Sequence, residues 1–214
     1  MDPYQITHTR SRRESDGAVH TAQMREFFAL MGWLAAPAPI VVPTGTFGTK
    51  FAEELHEFET AFENGDSVGM ADGLGDMAYV VIAIMLRHGV AASLEHFSWT
   101  DQDRLDRLMA AIPCTSDQSE PCGAECAIAY LRQTSALISR IGTNPYAARW
   151  YGLRALRGID TLAALTAIPM RKVFTEVHRS NMTKTRSRLG HPVKGPGYRE
   201  PVLGPILSAY LDRL

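Results

Sequence analysis

Residues 51–81, FAEELHEFETAFENGDSVGMADGLGDMAYVV, decide how this chain folds, because they combine apolar and acidic side chains at helical spacing. An α-helix turns about 100° per residue, so one apolar stripe runs along a helix that we expect over about 46–63. The stripe consists of Phe51, Leu55, Phe58 and Phe62. The sequence NGD at 64–66 is a turn signal, and Asp66 or Ser67 is a good N-cap for a following helix. The stretch therefore predicts two helices joined by a tight turn.

The acidic side chains of this predicted hairpin lie on arcs beside the apolar stripes. They are Glu53, Glu54 and Glu57 on the first helix, and Asp72 and Asp76 on the second. Like-charged pairs at i,i+3 or i,i+4 cost about 0.2–0.5 kcal/mol each, so Lys50, solvent or a cation should offset the repulsion. If the helices are antiparallel, both acidic arcs face one groove. Oxygen ligands of this kind suit Mg²⁺ or Mn²⁺.

Two other interpretations of these acidic residues stay open. One is a solvated acidic helix face, which the matching pair on the second helix disfavours. The other is a di-iron centre, because Glu53-x-x-His56 has the Glu-x-x-His spacing of di-iron four-helix bundles. Such a centre needs two motifs and the sequence contains one, so we expect His56 to face solvent or to pack at an edge.

The rest of the chain also favours helices, and it contains no convincing strand or internal repeat. We expect further helices at 18–34, 98–112 and 124–142, and over 144–184 in two pieces broken near Pro169. Residues 1–17 are expected to be disordered, and the proline-rich stretch 35–45 to be an extended connection. The tail at 187–211 should be a loop with a short final helix. These features predict an all-α fold.

The bulk composition excludes several classes of protein. The 214 residues include 22 basic and 23 acidic side chains, so bulk charge indicates no polyanion-binding surface. The N-terminus lacks the apolar run of a signal peptide, and no window approaches 18 continuous apolar residues, so we expect no membrane span. The three cysteines, Cys114, Cys122 and Cys126, fit neither common zinc spacing. We expect a reduced cytoplasmic protein, with a single surface disulfide as the alternative.

A local cluster of positive charge lies near the C-terminus, in EVHRSNMTKTRSRLGHPVKGPGYREP at 176–201. Its members are His178, Arg179, Lys184, Arg186, Arg188, His191, Lys194 and Arg199. Lysine and arginine are the expected partners of phosphate oxygens, and Asn181 offers both a donor and an acceptor. A solvated basic tail is the alternative, but Tyr198 and Leu203 favour a segment that docks onto the domain.

At these residues the sequence resembles a known family. EELHE followed by DGLGDMAYVV resembles the all-α nucleoside triphosphate pyrophosphohydrolases, the MazG-like group that includes phosphoribosyl-ATP pyrophosphohydrolases and dimeric dUTPases. Their pattern is E-E-x-x-E on one helix and E-x-x-D on the next. MREFFALMGW, EVHRSNMTK and VKGPGYREP are similar to a phage-type, MazZ-like subgroup. The resemblance covers about 18–95 and 171–211.

The resemblance implies a single MazG-like helical domain over 18–214, with a loop-rich C-terminal segment. Two departures stand out. Position 73, where the second motif would place its glutamate, is glycine, and Asp72 is the nearest substitute. The stretch 97–170 has no counterpart in the resemblance and is expected to be a helical insertion that extends an oligomer interface or covers the site.

The resemblance also implies the chemistry. Two or three Mg²⁺ or Mn²⁺ ions would be bound by Glu54, Glu57 and Asp76, with Asp72 beside them, and Glu53 would position or deprotonate the attacking water. The expected catalytic set is thus Glu53, Glu54, Glu57 and Asp76. The residues expected to bind substrate are Lys50, Arg179, Asn181, Lys184, Lys194 and Tyr198. The products would be a nucleoside monophosphate and pyrophosphate.

Several functional expectations follow from the same resemblance. The preferred substrate is dGTP or GTP, and a house-cleaning enzyme for non-standard nucleotides is the next interpretation. A helical interaction module without activity is a third, for which Gly73 is the supporting feature. We expect a homodimer or homotetramer, with no membrane or nucleic acid polymer as partner. The location would be the cytoplasm, or the host cytoplasm if the protein is phage-encoded.

Overall fold

A computed structural model describes residues 15–33, 44–99, 123–188 and 190–212, and in these parts the chain is almost entirely helical. The helices are α1 (Asp16–Leu30), α2 (Thr44–Glu63), α3 (Ser67–Arg87), α4 (Ala124–Ile138), α5 (Pro145–Leu165), α6 (Met170–Asn181) and α7 (Gly204–Leu211). A short 3-10 helix lies at Ala91–Leu94. The predicted all-α fold is confirmed.

The predicted hairpin of α2 and α3 is confirmed, together with its turn. Gly65 adopts a φ of 66°, a left-handed conformation that glycine takes without strain. Asp66 caps α3, since its Oδ1 accepts hydrogen bonds of 3.0 Å from the backbone N–H groups of Val68 and Gly69. The apolar stripe of α2 is buried at Phe51, Leu55 and Phe58, while Phe62 is half-buried.

Helix α3 lies at the centre of one hydrophobic core. It packs most extensively against α2 and also contacts α1, α5 and α6, while α4 packs on α5 and α2. By length and composition α3 could cross a membrane, but 67% of its most apolar window is buried inside the bundle. That burial is typical of the core helix of a soluble protein.

Several boundaries differ from the sequence predictions. Helix α1 begins at Asp16, because Ser15 caps it by accepting a hydrogen bond of 3.2 Å from Ala18, so the disorder predicted for 1–17 is wrong at Asp16 and Gly17. Residues 1–14 lie outside the described residues, as do 34–43 and 100–122. The proline-rich connection, most of the predicted helix 98–112, and Cys114 and Cys122 therefore fall outside the structure's description.

The region predicted as an insertion contributes α4 and α5 in its described part. Both helices bury side chains in the shared core, among them Leu131 and Leu156. The break predicted near Pro169 is confirmed, because α5 ends at Leu165 and α6 begins at Met170. Helix α4 ends at Ile138, four residues before the end predicted at 142.

The C-terminal segment docks onto α6, as predicted, and it contains a small sheet that the sequence did not indicate. Strands β1 (Thr185–Arg186) and β2 (Pro192–Val193) pair antiparallel. The backbone N–H of Val202 donates to the Glu176 carboxylate at 2.6 Å, and Leu203 is buried. Residues 183–188 and 190–203, which we call the strap, are in this way held beside the hairpin of α2 and α3.

Candidate active site

Helices α2 and α3 direct their acidic side chains toward one cavity of about 650 Å³. All five predicted carboxylates line it: Glu53, Glu54, Glu57, Asp72 and Asp76. Helical spacing explains the arrangement, because residues three and four apart share a face and the tight turn aligns the two faces. The cavity volume falls in the ordinary range for small-molecule sites. The convergence of the five carboxylates is thus a property of the fold. Their catalytic and metal-binding roles stay predictions.

Glu54 is the most buried of the carboxylates in α2, with a side chain that is 3% exposed. Its Oε1 lies 2.7 Å from Lys50 Nζ, which also contacts Glu53 at 3.3 Å. Burial raises the pKa of Glu54, the charge of Asp76 raises it further, and Lys50 opposes both. Burial works against the Lys50 ammonium, but its two glutamate partners outweigh that effect and raise its pKa. Lys50 therefore partly neutralises this end of the cluster.

The two aspartates of α3 also resist ionisation. Burial, followed by the charges of Glu54, Glu200 and Glu57, raises the pKa of Asp72 to about 6. Burial and the charge of Asp72 likewise raise the pKa of Asp76, while Lys184 and Lys50 oppose the shift. The cavity consequently has a surplus of negative charge, and a positively charged ligand would relieve it.

Asn181 and Lys184 bring the end of α6 to the same carboxylates. Asn181 is 4% exposed, and its side chain donates a hydrogen bond to Asp76. Burial lowers the pKa of the Lys184 ammonium, an effect that the charge of Asp76 opposes. Both were predicted to bind substrate, and the structure places both on the cavity wall.

The strap adds a third lysine, Lys194, to the cavity, together with a carboxylate that sequence reasoning missed. Lys194 Nζ lies 3.1 Å from Glu200 Oε1 and 4.7 Å from the centroid of the Tyr198 ring. The Tyr198 hydroxyl donates to Glu200 Oε2 at 2.9 Å. Glu200 is visible in KGPGYREP, but nothing in its spacing indicated that it faces the site.

Arg179 is the one predicted site residue that the structure does not bring to the cavity. Its guanidinium forms a two-pronged contact with Glu176, at 2.7 and 2.8 Å, and donates to the backbone oxygen of Glu200 at 3.1 Å. On α6 it lies on a different face from Asn181 and fastens the strap. This placement does not support its predicted role in substrate binding, which stays a prediction.

Gly73 is explained by the packing of α2 on α3. A Cβ at this position would lie 3.0 Å from Phe58 Cβ and 3.2 Å from the backbone oxygen of Glu54. A glutamate there would meet helix α2 instead of the cavity, whereas Asp72, one residue earlier, lines the cavity. The glycine that breaks the E-x-x-D pattern therefore allows α2 and α3 to pack closely at this position.

The cavity has an apolar side that sequence reasoning did not find. It is lined by Phe27, Trp33, Phe47, Tyr79, Val80, Ala83, Val177, Pro192 and Pro201. Trp33 is fixed by a hydrogen bond of 3.1 Å from its Nε1 to the backbone oxygen of Gly190 in the strap. A site that combines carboxylates and lysines with aromatic rings suits a ligand with a charged and a flat apolar part.

The donor set fits a hard divalent cation in its chemistry and charge, because it consists of carboxylate oxygens with surplus negative charge. Within the described residues no three acidic, histidine or cysteine side chains already form a coordination group. Lys50 and Asn181 instead engage Glu54 and Asp76. His56 is exposed, as expected, and does not line the cavity, so the arrangement does not favour a di-iron centre.

Comparison with known proteins gives one match. Residues 37–98 match the family model of phosphoribosyl-ATP pyrophosphohydrolase, a segment that covers the whole hairpin of α2 and α3. No curated protein and no solved structure matched the chain. The matched range spans less than a third of the chain and ends at residue 98, next to the start of the predicted insertion. It contains the five predicted carboxylates of the cavity, but not Glu200.

Proposed function

We propose that this chain, a nucleotide pyrophosphohydrolase of the all-α nucleoside triphosphate pyrophosphohydrolases, cleaves its substrate between the α- and β-phosphates. The substrate is a nucleoside or deoxynucleoside triphosphate. The products are the monophosphate and pyrophosphate. The observation that carries the proposal is the meeting of six carboxylates and three lysines at one cavity. Members of this family generally use a divalent metal, and Mg²⁺ or Mn²⁺, two or three per site, is the finer proposal.

The negative wall of the cavity takes the metal-bound triphosphate in this proposal. Glu54, Glu57, Asp72 and Asp76 would hold the cations, which lower the pKa of bound water and neutralise phosphate charge. Asn181 holds the Asp76 carboxylate in place through its hydrogen bond. Lys184 and Lys194, which line the same cavity, bind phosphate oxygens in this proposal.

Glu53 is the best placed carboxylate to handle the attacking water. Its side chain is 54% exposed, and its contact with Lys50, at 3.3 Å, is longer than the 2.7 Å contact of Glu54, so it is less constrained than Glu54. We assign to it the positioning or deprotonation of the water. A base within hydrogen-bond reach of the nucleophile typically contributes 10²- to 10⁴-fold in rate, about the loss expected for Glu53→Gln.

The apolar side of the cavity takes the base and sugar in this proposal. Trp33 and Phe47 present aromatic rings there, and a flat base stacks well on such rings. We propose dGTP as the substrate to test first, on the resemblance of the strap and of α1 to the phage-type subgroup. GTP and non-standard purine nucleotides follow.

The proposal extends to assembly and location. We propose a homodimer or homotetramer in the cytoplasm, or in the host cytoplasm if the protein is phage-encoded. A gel-filtration mass equal to that of a single chain contradicts the oligomer and leaves the chemistry untouched.

The proposed function is tested by incubating the protein with each of eight common NTPs and dNTPs, with and without Mg²⁺. Release of pyrophosphate that depends on the cation supports it, and the preferred base names the substrate. Release of single phosphate refutes cleavage between the α- and β-phosphates. No cation-dependent product from any nucleotide refutes the assignment altogether.

A further inference from the structure

Three side chains that the proposed chemistry does not use form a hydrogen-bonded chain from the cavity wall to the surface. The Tyr79 hydroxyl of α3 lies 3.2 Å from His178 Nδ1 of α6. His178 Nε2 in turn lies 3.3 Å from Glu26 Oε2 of α1. Tyr79 and His178 are buried, at 7% exposure each, whereas the Glu26 side chain is 65% exposed. Tyr79 also lines the cavity.

The direction of the hydrogen bonds follows from the groups involved. An ionised glutamate only accepts, so His178 Nε2 donates to Glu26. Burial lowers the pKa of His178, which favours the neutral ring. A neutral ring with its proton on Nε2 presents Nδ1 as an acceptor, so the Tyr79 hydroxyl donates to it. The three groups are thus satisfied in one consistent arrangement that ties α1, α3 and α6 together.

The chain lies one helical turn from the contact that holds Asp76. Tyr79 follows Asp76 by three residues on α3, and His178 precedes Asn181 by three residues on α6. The pairs Asp76–Asn181 and Tyr79–His178 are therefore neighbouring bridges between two antiparallel helices, about 4.5 Å apart along the axis.

The helices are in close contact at the same crossing, for an independent reason. Gly75 faces α6, and a Cβ at this position would lie 2.7 Å from Val177 Cγ2. The two helices therefore have little space to shift relative to each other where the two hydrogen-bonded pairs lie.

We propose that Tyr79, His178 and Glu26 are positioning residues, which hold Asn181 and through it the Asp76 carboxylate in the orientation that binds a divalent cation. The inference rests on the proposed function, since it concerns the same site. It assigns to α1 a part in cation binding, although Glu26, His178 and Tyr79 do not themselves need to touch the cation.

The test is a titration of the metal-free protein with Mn²⁺ alone, in which free Mn²⁺ is measured by electron paramagnetic resonance. Losing one hydrogen bond of ordinary strength should weaken Mn²⁺ binding about fivefold in Tyr79→Phe. The matched control is Tyr151→Phe, a tyrosine of α5 outside the cavity, for which we expect a change under about twofold. Glu26→Gln keeps an acceptor for His178 and should lose less affinity than Glu26→Ala.

A double-mutant cycle with Asn181→Ala distinguishes a positioning role that acts through Asn181 from a purely structural role of Tyr79. If Tyr79 acts through Asn181, the loss caused by Tyr79→Phe falls below about twofold in the Asn181→Ala background. An unchanged fivefold loss in that background overturns the inference. So does wild-type Mn²⁺ affinity in both Tyr79→Phe and Glu26→Ala. Should Tyr79→Phe fail to fold, the cycle is run with Glu26→Ala instead, because the Glu26 side chain is exposed.

Failure of the inference is distinguishable from failure of the proposed function. If the wild-type protein binds Mn²⁺ and releases pyrophosphate while the variants match it, the positioning role alone is refuted. If the wild-type protein neither binds Mn²⁺ nor releases pyrophosphate, the proposed function is refuted and the positioning role with it.

Discussion

Replacing Asp72 with asparagine should stabilise the metal-free protein, because it removes one of several mutually repelling charges and keeps the shape of the side chain. Burial and the neighbouring charges raise the pKa of Asp72 from 3.8 to about 6. Each pKa unit corresponds to about 1.4 kcal/mol, so the ionised group costs the folded state up to about 3 kcal/mol. Asp72 is only half-buried, and allowing for solvent screening we expect a gain of about 1–2 kcal/mol.

The effect should depend on pH with a defined sign. The pKa of Asp72 is higher in the folded than in the unfolded state, so the folded state binds the proton more tightly. Below about pH 4 the carboxyl is protonated in both states and costs nothing. The penalty accumulates as the pH rises through 4 to 6. The advantage of Asp72→Asn is therefore complete near about pH 8 and disappears near about pH 4.

Thermal unfolding in the presence of a chelator measures this directly. For a protein of this size 1 kcal/mol shifts Tm by about 2–4 °C, so Asp72→Asn should raise Tm by about 2–8 °C at about pH 8. Mg²⁺ should raise the Tm of the wild-type protein more than that of the variant, because the variant lacks one anionic ligand. Glu95→Gln, at an exposed carboxylate outside the cavity, should shift Tm by less than about 2 °C and serves as the control. A lower Tm for Asp72→Asn, or an equal gain at both pH values, would refute the reasoning.

Four further substitutions test the site. Glu57→Gln and Asp76→Asn should each abolish Mg²⁺-dependent pyrophosphate release while the helical circular dichroism signal is retained; full activity in either removes that residue from the chemistry. Gly73→Glu should destabilise the protein by about 1–3 kcal/mol in urea unfolding, because the new side chain meets α2; a more active and equally stable variant contradicts the packing argument. Glu200→Gln frees Lys194 for phosphate and should lower KM for the nucleotide up to about fivefold, as the screened pair is weak; a raised KM would show that Glu200 supports binding.

The hairpin could be predicted from sequence because all its signals are local. The stripe from Phe51 to Phe58 has the period of a helix, and Gly65 with Asp66 specifies the turn within a few residues. The acidic arcs follow from the same geometry. Once the two helices are antiparallel, Glu54 and Asp76 must lie near one another, so this part of the site needed no information from the rest of the chain.

The remaining features depend on contacts between distant segments. The partners Tyr79 and His178 are 99 residues apart, and His178 and Glu26 are 152 apart, so no local pattern indicates them. The same is true of the bond from Trp33 to the strap, over 157 residues. The two-residue strands of the strap are too short to show an alternating pattern. The resemblance and the positive charge of Arg179 both favoured a place in the site. Only the register of α6 shows that Arg179 lies on a different face of the helix from Asn181.

The most direct test of the central claim is an anomalous X-ray measurement on crystals grown with Mn²⁺ and a non-hydrolysable triphosphate analogue. Our account predicts manganese peaks in the cavity between α2 and α3, each within coordination distance of carboxylate oxygens from Glu54, Glu57, Asp72 or Asp76. Manganese bound only at other surfaces, or a cavity without manganese at saturating concentration, would contradict it.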